Sequence, residues 1–165
     1  MPPLTQTLAP PALEDVLELD ELWSFVARRR DKRWVWLALC RRTRQIVAYA
    51  VGDRGAETCR LLWERIPLLW ERIPHGLRHA LTYTDFWEAY QTVVPEGQHV
   101  ACGKGSGQTN HVERFNNTLR QRLARFVRKT LSFSKSDVMH EGCLRLFLHH
   151  YNTRMVPGAA ATQQH

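Results

Sequence analysis

Residues 16–51 hold three strand-like segments separated by connections too short for anything but hairpins. Val16 to Phe25 nearly alternates apolar and polar positions, Trp34 to Cys40 is a mostly apolar run, and Ile46 to Val51 is a third, ended by Gly52 and Gly55. Period-two alternation marks a half-buried strand, and a short apolar run bounded by turn residues marks a central one. Arg28 to Lys32 and Arg41 to Arg44 read as polar turns, so the three strands form an antiparallel meander.

The remaining chain alternates between the two periodicities. Ala56 to Leu62 reads as a helix, His79 to Thr84 as a fourth strand, Phe86 to Val93 as a helix and His99 to Cys102 as a brief fifth strand. A long helix follows from about Asn110 to Lys129. A last one runs from Asp137 to near Tyr151, after the serines at 132, 134 and 136. The order β-β-β-α-β-α-β-α-α predicts a mixed sheet flanked by helices in one domain of the 165 residues. Residues 1–13 read as a flexible lead-in, 14–153 as the folded domain and 154–165 as a flexible tail.

Several classes are excluded early. No apolar run approaches the ~20 residues that span a bilayer, so no membrane partner is expected, and the N-terminus has neither the basic nor the apolar region of a secretory signal. The four cysteines are scattered without a C-x-x-C pair, which argues against a disulfide framework or zinc knuckle and for a reducing, cytoplasmic setting. The loop Gly103 to Gly107 lacks the phosphate-cradling glycine-lysine pattern. Leu61 to Pro67 is repeated at once as residues 68–74, and Pro67 stops any helix running through it. The repeat reads as a small insertion at a helix C-terminus, too short to be a solenoid.

Charge is concentrated. Residues 1–108 carry 14 basic and 13 acidic residues and residues 136–165 two of each, whereas Thr109 to Lys135 carries seven basic residues and one acid, +6 of the total +7. Such a field in 27 residues points to a polyanion, most simply nucleic acid. On the long helix Val112, Phe115, Leu119, Leu123 and Phe126 form the core stripe, with Arg114, Arg122, Arg125 and Lys129 on the outward side. Glu113, Asn116, Asn117 and Arg120 share a third face.

Two aspartates sit where strands disfavour them: Asp20 inside the first, Asp85 at the end of the fourth. With strand four parallel beside strand one, they reach coordination distance of one ion, and Glu113 is placed to add a third carboxylate for Mg²⁺. Glu18 shares Asp20's face and Glu21 takes the other, while Asp31 and Asp53 fall in turns. Composition leaves the choice among these acids open.

LELDELWSFV (17–26), YTDFWEAY (83–90) and HVERFNNTLRQRLARFVRKTLSFSKS (111–136), in this order, resemble the catalytic half of bacterial insertion-sequence-one family transposases. That family belongs to the DDE superfamily with the ribonuclease H-like fold. The resemblance implies a five-stranded mixed sheet, three strands antiparallel and two parallel, flanked by helices. It implies Asp20, Asp85 and Glu113 as catalytic and metal-binding residues, with 27 residues between the last two, and two Mg²⁺ or Mn²⁺ ions as cofactors. It further implies that Arg114, Asn117, Arg120, Arg122, Arg125, Arg128 and Lys129 contact DNA, Asn117 and Arg120 either holding a backbone phosphate or orienting the glutamate, and Arg122, Arg125, Arg128 and Lys129 holding phosphates without sequence reading.

Trp87 is expected to pack, and His111 to be a plain helix-start residue. The expected activity is cleavage of DNA ends and strand transfer; a non-catalytic DNA-binding remnant and a stand-alone nuclease are the rivals. The expected partners are transposon-end and target DNA, a second copy of the chain at least, and a DNA-binding N-terminal half encoded in another reading frame. The expected location is the bacterial nucleoid.

Overall fold

The protein is described from a computed structural model covering residues 2–66, 80–130 and 136–156, with no side-chain description for 28–29 and 123–130. Three strands form the predicted meander: β1 (Val16–Val26), β2 (Arg28–Cys40) and β3 (Ile46–Gly52). They are followed by α1 (Ala56–Arg65), β4 (Leu81–Thr84), α2 (Glu88–Val93), β5 (His99–Ala101), α3 (Asn110–Thr130) and α4 (Asp137–Met155). The sheet order is β3-β2-β1-β4-β5. β1 pairs antiparallel with β2 and parallel with β4, and β5 runs parallel to β4.

Strand parity builds two layers around this sheet. Leu17, Leu19, Trp36 and Ala38 face α1 and α2, where they bury Cys59, Leu62, Ile66, Ala89, Tyr90 and Val94. Leu22, Val35, Leu37 and Leu39 face α3 and α4 and bury Val112, Phe115, Leu119, Leu144 and Leu148. The core stripe read from the α3 sequence is therefore observed as far as Leu119; the side chains of Leu123 and Phe126 lie outside the described residues.

The structure corrects the sequence reading in two places. Arg28 to Lys32 is not a turn: β2 begins at Arg28, and the reversal is made at Ala27, whose φ is 60°. Charged residues enter a strand here because β1 and β2 run beyond the end of β4, where Arg30, Asp31 and Lys32 keep their side chains exposed. Lys32 lies over the exposed Trp23 ring at 4.8 Å. The segment read as a lead-in is also tied down. Leu4 is buried in the α3–α4 layer, and the buried Gln45 donates to the carbonyl of Thr7 and accepts from the amide of Ala9. The first LLWERIP copy supplies the last turn of α1 and the buried Ile66, while the second lies outside the described residues. All four cysteines are free. No helix among the described residues is long and apolar enough to cross a membrane.

Candidate active site

The site lies where β4 stops and β1 does not. Pairing of the two strands runs through Val16↔Leu81, Leu17↔Thr82 and Glu18↔Tyr83. The same register carried two residues further sets Asp85 beside Asp20. Beyond Thr84 the β4 edge of β1 is open, so side chains from both faces of β1 can turn toward one another around it. Asp20, Glu21 and Asp85 do so, each offering a carboxylate oxygen within 4.8 Å of the others.

The structure thus brings together Asp20 and Asp85, as read from the sequence, and adds Glu21, which strand parity had assigned to the opposite face. Parity is obeyed at the backbone: Asp20 Oδ2 accepts from Asn116 of α3 at 2.7 Å, whereas Glu21 points to the α1–α2 side. Glu21 is held on both oxygens. Oε1 accepts from Arg54 at 3.1 and 3.3 Å, and Oε2 accepts from the hydroxyl of the fully buried Tyr90. The Arg54 guanidinium is itself sandwiched between the rings of Trp34 and Trp87, at 4.6 and 4.1 Å. Trp87 therefore packs, and its backbone N–H donates to Asp85 Oδ1 at 2.8 Å, fixing that carboxylate at the strand end.

Electrostatically the cluster is short of cations. Burial, with Glu21 and Asp85 adding like charge, pushes the Asp20 carboxyl up to about 7, against the opposing pull of a hydrogen bond from the Glu21 backbone N–H and, less, of Lys104. Burial likewise raises Glu21, although Tyr90 and Arg54 work against it. Three hard oxygen donors in one partly buried, under-compensated site suit a divalent cation. The Oδ1 atom of Asn116, buried beside Asp20, has no hydrogen-bond partner among the described residues.

Glu113 stands apart from this cluster. It lies in the first turn of α3 and accepts from the Thr109 hydroxyl at 3.0 Å. Asn116, three residues on and on the same helix face, is the α3 side chain that touches Asp20. The start of α3 is fixed by Glu18, which is fully buried. Its carboxylate accepts from the backbone N–H groups of His111 and Val112 at 3.0 and 3.3 Å, from His111 Nδ1 at 2.7 Å and from Arg41 at 3.0 Å. A carboxylate on a helix N-terminus is favoured by the exposed N–H groups and the helix dipole. Sequence reasoning missed this role for Glu18, and with it the partner of His111. The i, i+2 relation to Asp20 was visible, but nothing local tells a buried cap from a ligand.

Of the expected DNA contacts, Arg114, Asn117, Arg120 and Arg122 are all exposed on α3. The side chains of Arg125, Arg128 and Lys129 lie outside the described residues.

Comparison with known proteins agrees with this architecture. Residues 15–154 match the family model of IS1 transposase. The chain is 36% identical over 133 residues to the insertion element iso-IS1n protein InsB of Shigella dysenteriae, covering 81% of this chain and 93% of that protein. It is 32% identical over 136 residues to the insertion element IS1 protein InsB of Shigella flexneri, covering 81% and 95%. Among solved structures, it superposes with a TM-score of 0.54 and 11% identity on a chain of the simian T-cell lymphotropic virus intasome in complex with PP2A regulatory subunit B56 gamma. That match covers 88% of this chain and about half (49%) of the viral one, and it is a likeness of fold.

Proposed function

The chain belongs to the IS1 transposase family, and on that footing we propose that it is the catalytic domain that cuts DNA at the ends of an insertion element and joins them to a target. The observation that carries the reading is the meeting of Asp20 and Asp85 at the open edge of β1. Residues 14–153 are the catalytic unit in this reading, and DNA is its substrate.

Asp20 and Asp85 would hold divalent metal, Mg²⁺ or Mn²⁺, with Glu113 as the third carboxylate once it leaves Thr109 for the face it shares with Asn116. Two ions, when bound, activate an attacking oxygen and stabilise a leaving one. The chain's own residues do the rest. Asn116 orients Asp20, the Trp87 amide orients Asp85, and the Arg54–Tyr90 pair keeps Glu21 from rotating. Asn117 and Arg120, on the flank of α3 that carries Glu113, hold the DNA backbone so that a phosphodiester lies over the acids, and Arg114, Arg122, Arg125, Arg128 and Lys129 contact DNA phosphates from the other flanks of the helix.

In the first step water attacks the phosphorus, the bond to the 3′ oxygen breaks, and a proton passes to that oxygen to leave a free 3′-hydroxyl. In the second, that hydroxyl attacks a target phosphodiester, so one P–O bond forms as another breaks. No covalent enzyme intermediate or external energy source is needed. Assembly on two ends requires at least two copies, with sequence-specific end binding supplied by an N-terminal half from another reading frame and the nucleoid as the place of work.

The test is Mg²⁺-dependent nicking and strand transfer on plasmid carrying element ends, with the DNA-binding half supplied. Asp20→Asn, Asp85→Asn and Glu113→Gln are each expected to lower product at least 10³-fold while DNA binding measured in EDTA is kept. Full activity in any one would remove that residue from the site. Hydrolysed ends that never join would mark a nuclease instead.

A further inference from the structure

On the flank of α3 turned away from Glu113, a cavity of about 360 Å³ opens between α3, α4 and the β2–β3 turn. At ~100° per residue, His111, Arg114, Thr118 and Arg122 fall within about 80° of one another, roughly opposite Glu113 and Arg120. The floor is apolar and aromatic: Leu39, Phe115, Tyr151 and Met155. Phe115 meets Tyr151 edge-on, with the ring centroids 4.7 Å apart.

The rim is cationic. Arg44 from the β2–β3 turn, Arg114 and Arg122 from α3, and Arg154 from the last turn of α4 converge on the cavity, and among the described residues no carboxylate lines it. Elsewhere, arginines near acids are paired: Arg33 with Asp137, Arg41 with Glu18, Arg42 with Asp15 and Arg54 with Glu21. None of the four rim arginines has an ion-pair partner among the described residues. Arg122 rests over the Phe147 ring at 5.7 Å. Arg44 also occupies a left-handed backbone position, φ 63°, that suits glycine or asparagine far better than a long side chain. A strained residue kept at a cavity rim is a pointer to what its side chain does there.

Four uncompensated guanidinium groups around one cavity repel each other until an anion enters. Their planar forks match phosphodiester oxygens. We propose that this α3–α4 groove is a second DNA-backbone site, holding duplex on the side of α3 that faces away from the acids. It rests on the reading of the chain as a DNA-processing domain and adds to it a binding surface built from elements outside the long helix. The single-stranded alternative, in which bases stack on the floor, is an outcome of the test.

The experiment uses the full chain and fluorescence anisotropy with labelled 30-base-pair duplex and 30-nucleotide single strand, over a range of salt. The double variant Arg44→Gln/Arg154→Gln alters the groove from its two walls outside α3 and leaves the acids untouched. Its duplex affinity is expected to fall about 10-fold or more at 0.1 M salt. The slope of log affinity against log salt should decrease by roughly 2, because each lost phosphate contact removes about 0.9. Mn²⁺ affinity and melting temperature should match the parent.

The control Arg30→Gln/Arg60→Gln removes the same charge from exposed positions elsewhere. An equal loss in the control, or an unchanged slope in the groove variant, overturns the groove while leaving the reading of the domain intact. A loss confined to the single strand overturns the duplex assignment. A parent chain that binds neither duplex nor Mn²⁺ defeats both the groove and the reading on which it rests.

Discussion

Asp20 is a carboxylate whose proton is worth more to the folded chain than to the unfolded one. Its pKa of about 7 in the fold, against 3.8 outside it, arises first from burial and then from Glu21 and Asp85. The folded state keeps a proton that the unfolded state has released, so this group's contribution to stability is full below pH ~3.8 and lost as pH rises through 7. Asp20→Asn removes the penalty. At pH 8 without metal the variant should melt roughly 2–8 °C above the parent, the span produced by about 1–2 kcal/mol in a domain of this size, and the two should converge near pH 4. Scanning calorimetry at both pH values checks it, and a variant less stable than the parent at pH 8 would contradict the environment assigned to Asp20. Glu18, two residues away on the same face, is held instead by four donors from α3 and Arg41. Glu18→Gln keeps an oxygen for the His111 and Val112 amides and is expected to retain measurable strand transfer. Glu18→Leu strands those amides and should cost about 3 kcal/mol or more of stability. A fall of 10³-fold in the Gln variant with its fold intact would instead make Glu18 a ligand.

The elements were legible where their residues face one environment, and obscure where a side chain answers to a distant partner. The meander, the two short parallel strands and the core stripe of α3 follow from periodicity, because apolar burial repeats with the backbone. The start of β2 escaped that logic, since Arg30, Asp31 and Lys32 are exposed there and a run of charges reads as a loop. Glu21 escaped it too: parity sends it away from Asp20, and only the early end of β4 lets both carboxylates reach one edge. Of the candidate acids, Asp20 and Asp85 were placed together by the expectation of a parallel β1–β4 pair; the position of Glu113 beside Thr109 depends on a rotamer that no spacing encodes. Asn152 is a further case. It is fully buried in α4, donating to the carbonyl of Ile46 at 2.8 Å and to the Thr7 hydroxyl at 3.0 Å, and accepting from the amide of Ile46 at 2.8 Å. It therefore joins α4, the start of β3 and the N-terminal segment. Asn152→Ala leaves buried backbone groups unpaired and is expected to destabilise by about 2–4 kcal/mol, read as a lower midpoint in urea with an unchanged slope. A loss under 0.5 kcal/mol would show that α4 is held by its apolar face alone.

At the scale of the whole molecule, the acids and the arginines oppose each other until a cation is present. The net charge is +7, yet the edge of β1 gathers three carboxylates within 4.8 Å. Placing a DNA phosphate over them sets like charge against like in a partly buried site where screening is weak. A divalent ion reverses the sign of that spot while leaving the arginine surface unchanged, so metal and DNA should bind with positive coupling. Linkage makes the effect reciprocal: the factor by which metal tightens DNA equals the factor by which DNA tightens metal. A tenfold coupling corresponds to about 1.4 kcal/mol, a fraction of the interaction between one ion and one phosphate at close range. Duplex affinity should therefore rise roughly tenfold between EDTA and saturating Mg²⁺, and Mn²⁺ titrated into the protein should tighten by a similar factor when duplex is present. In Asp85→Asn both factors should shrink toward one, while affinity in EDTA rises slightly because a negative charge has gone. A parent chain whose DNA affinity ignores Mg²⁺, or an Asp85→Asn variant that keeps the full coupling, would detach the acid cluster from the DNA path and leave the arginine surface as the chain's sole nucleic-acid contact.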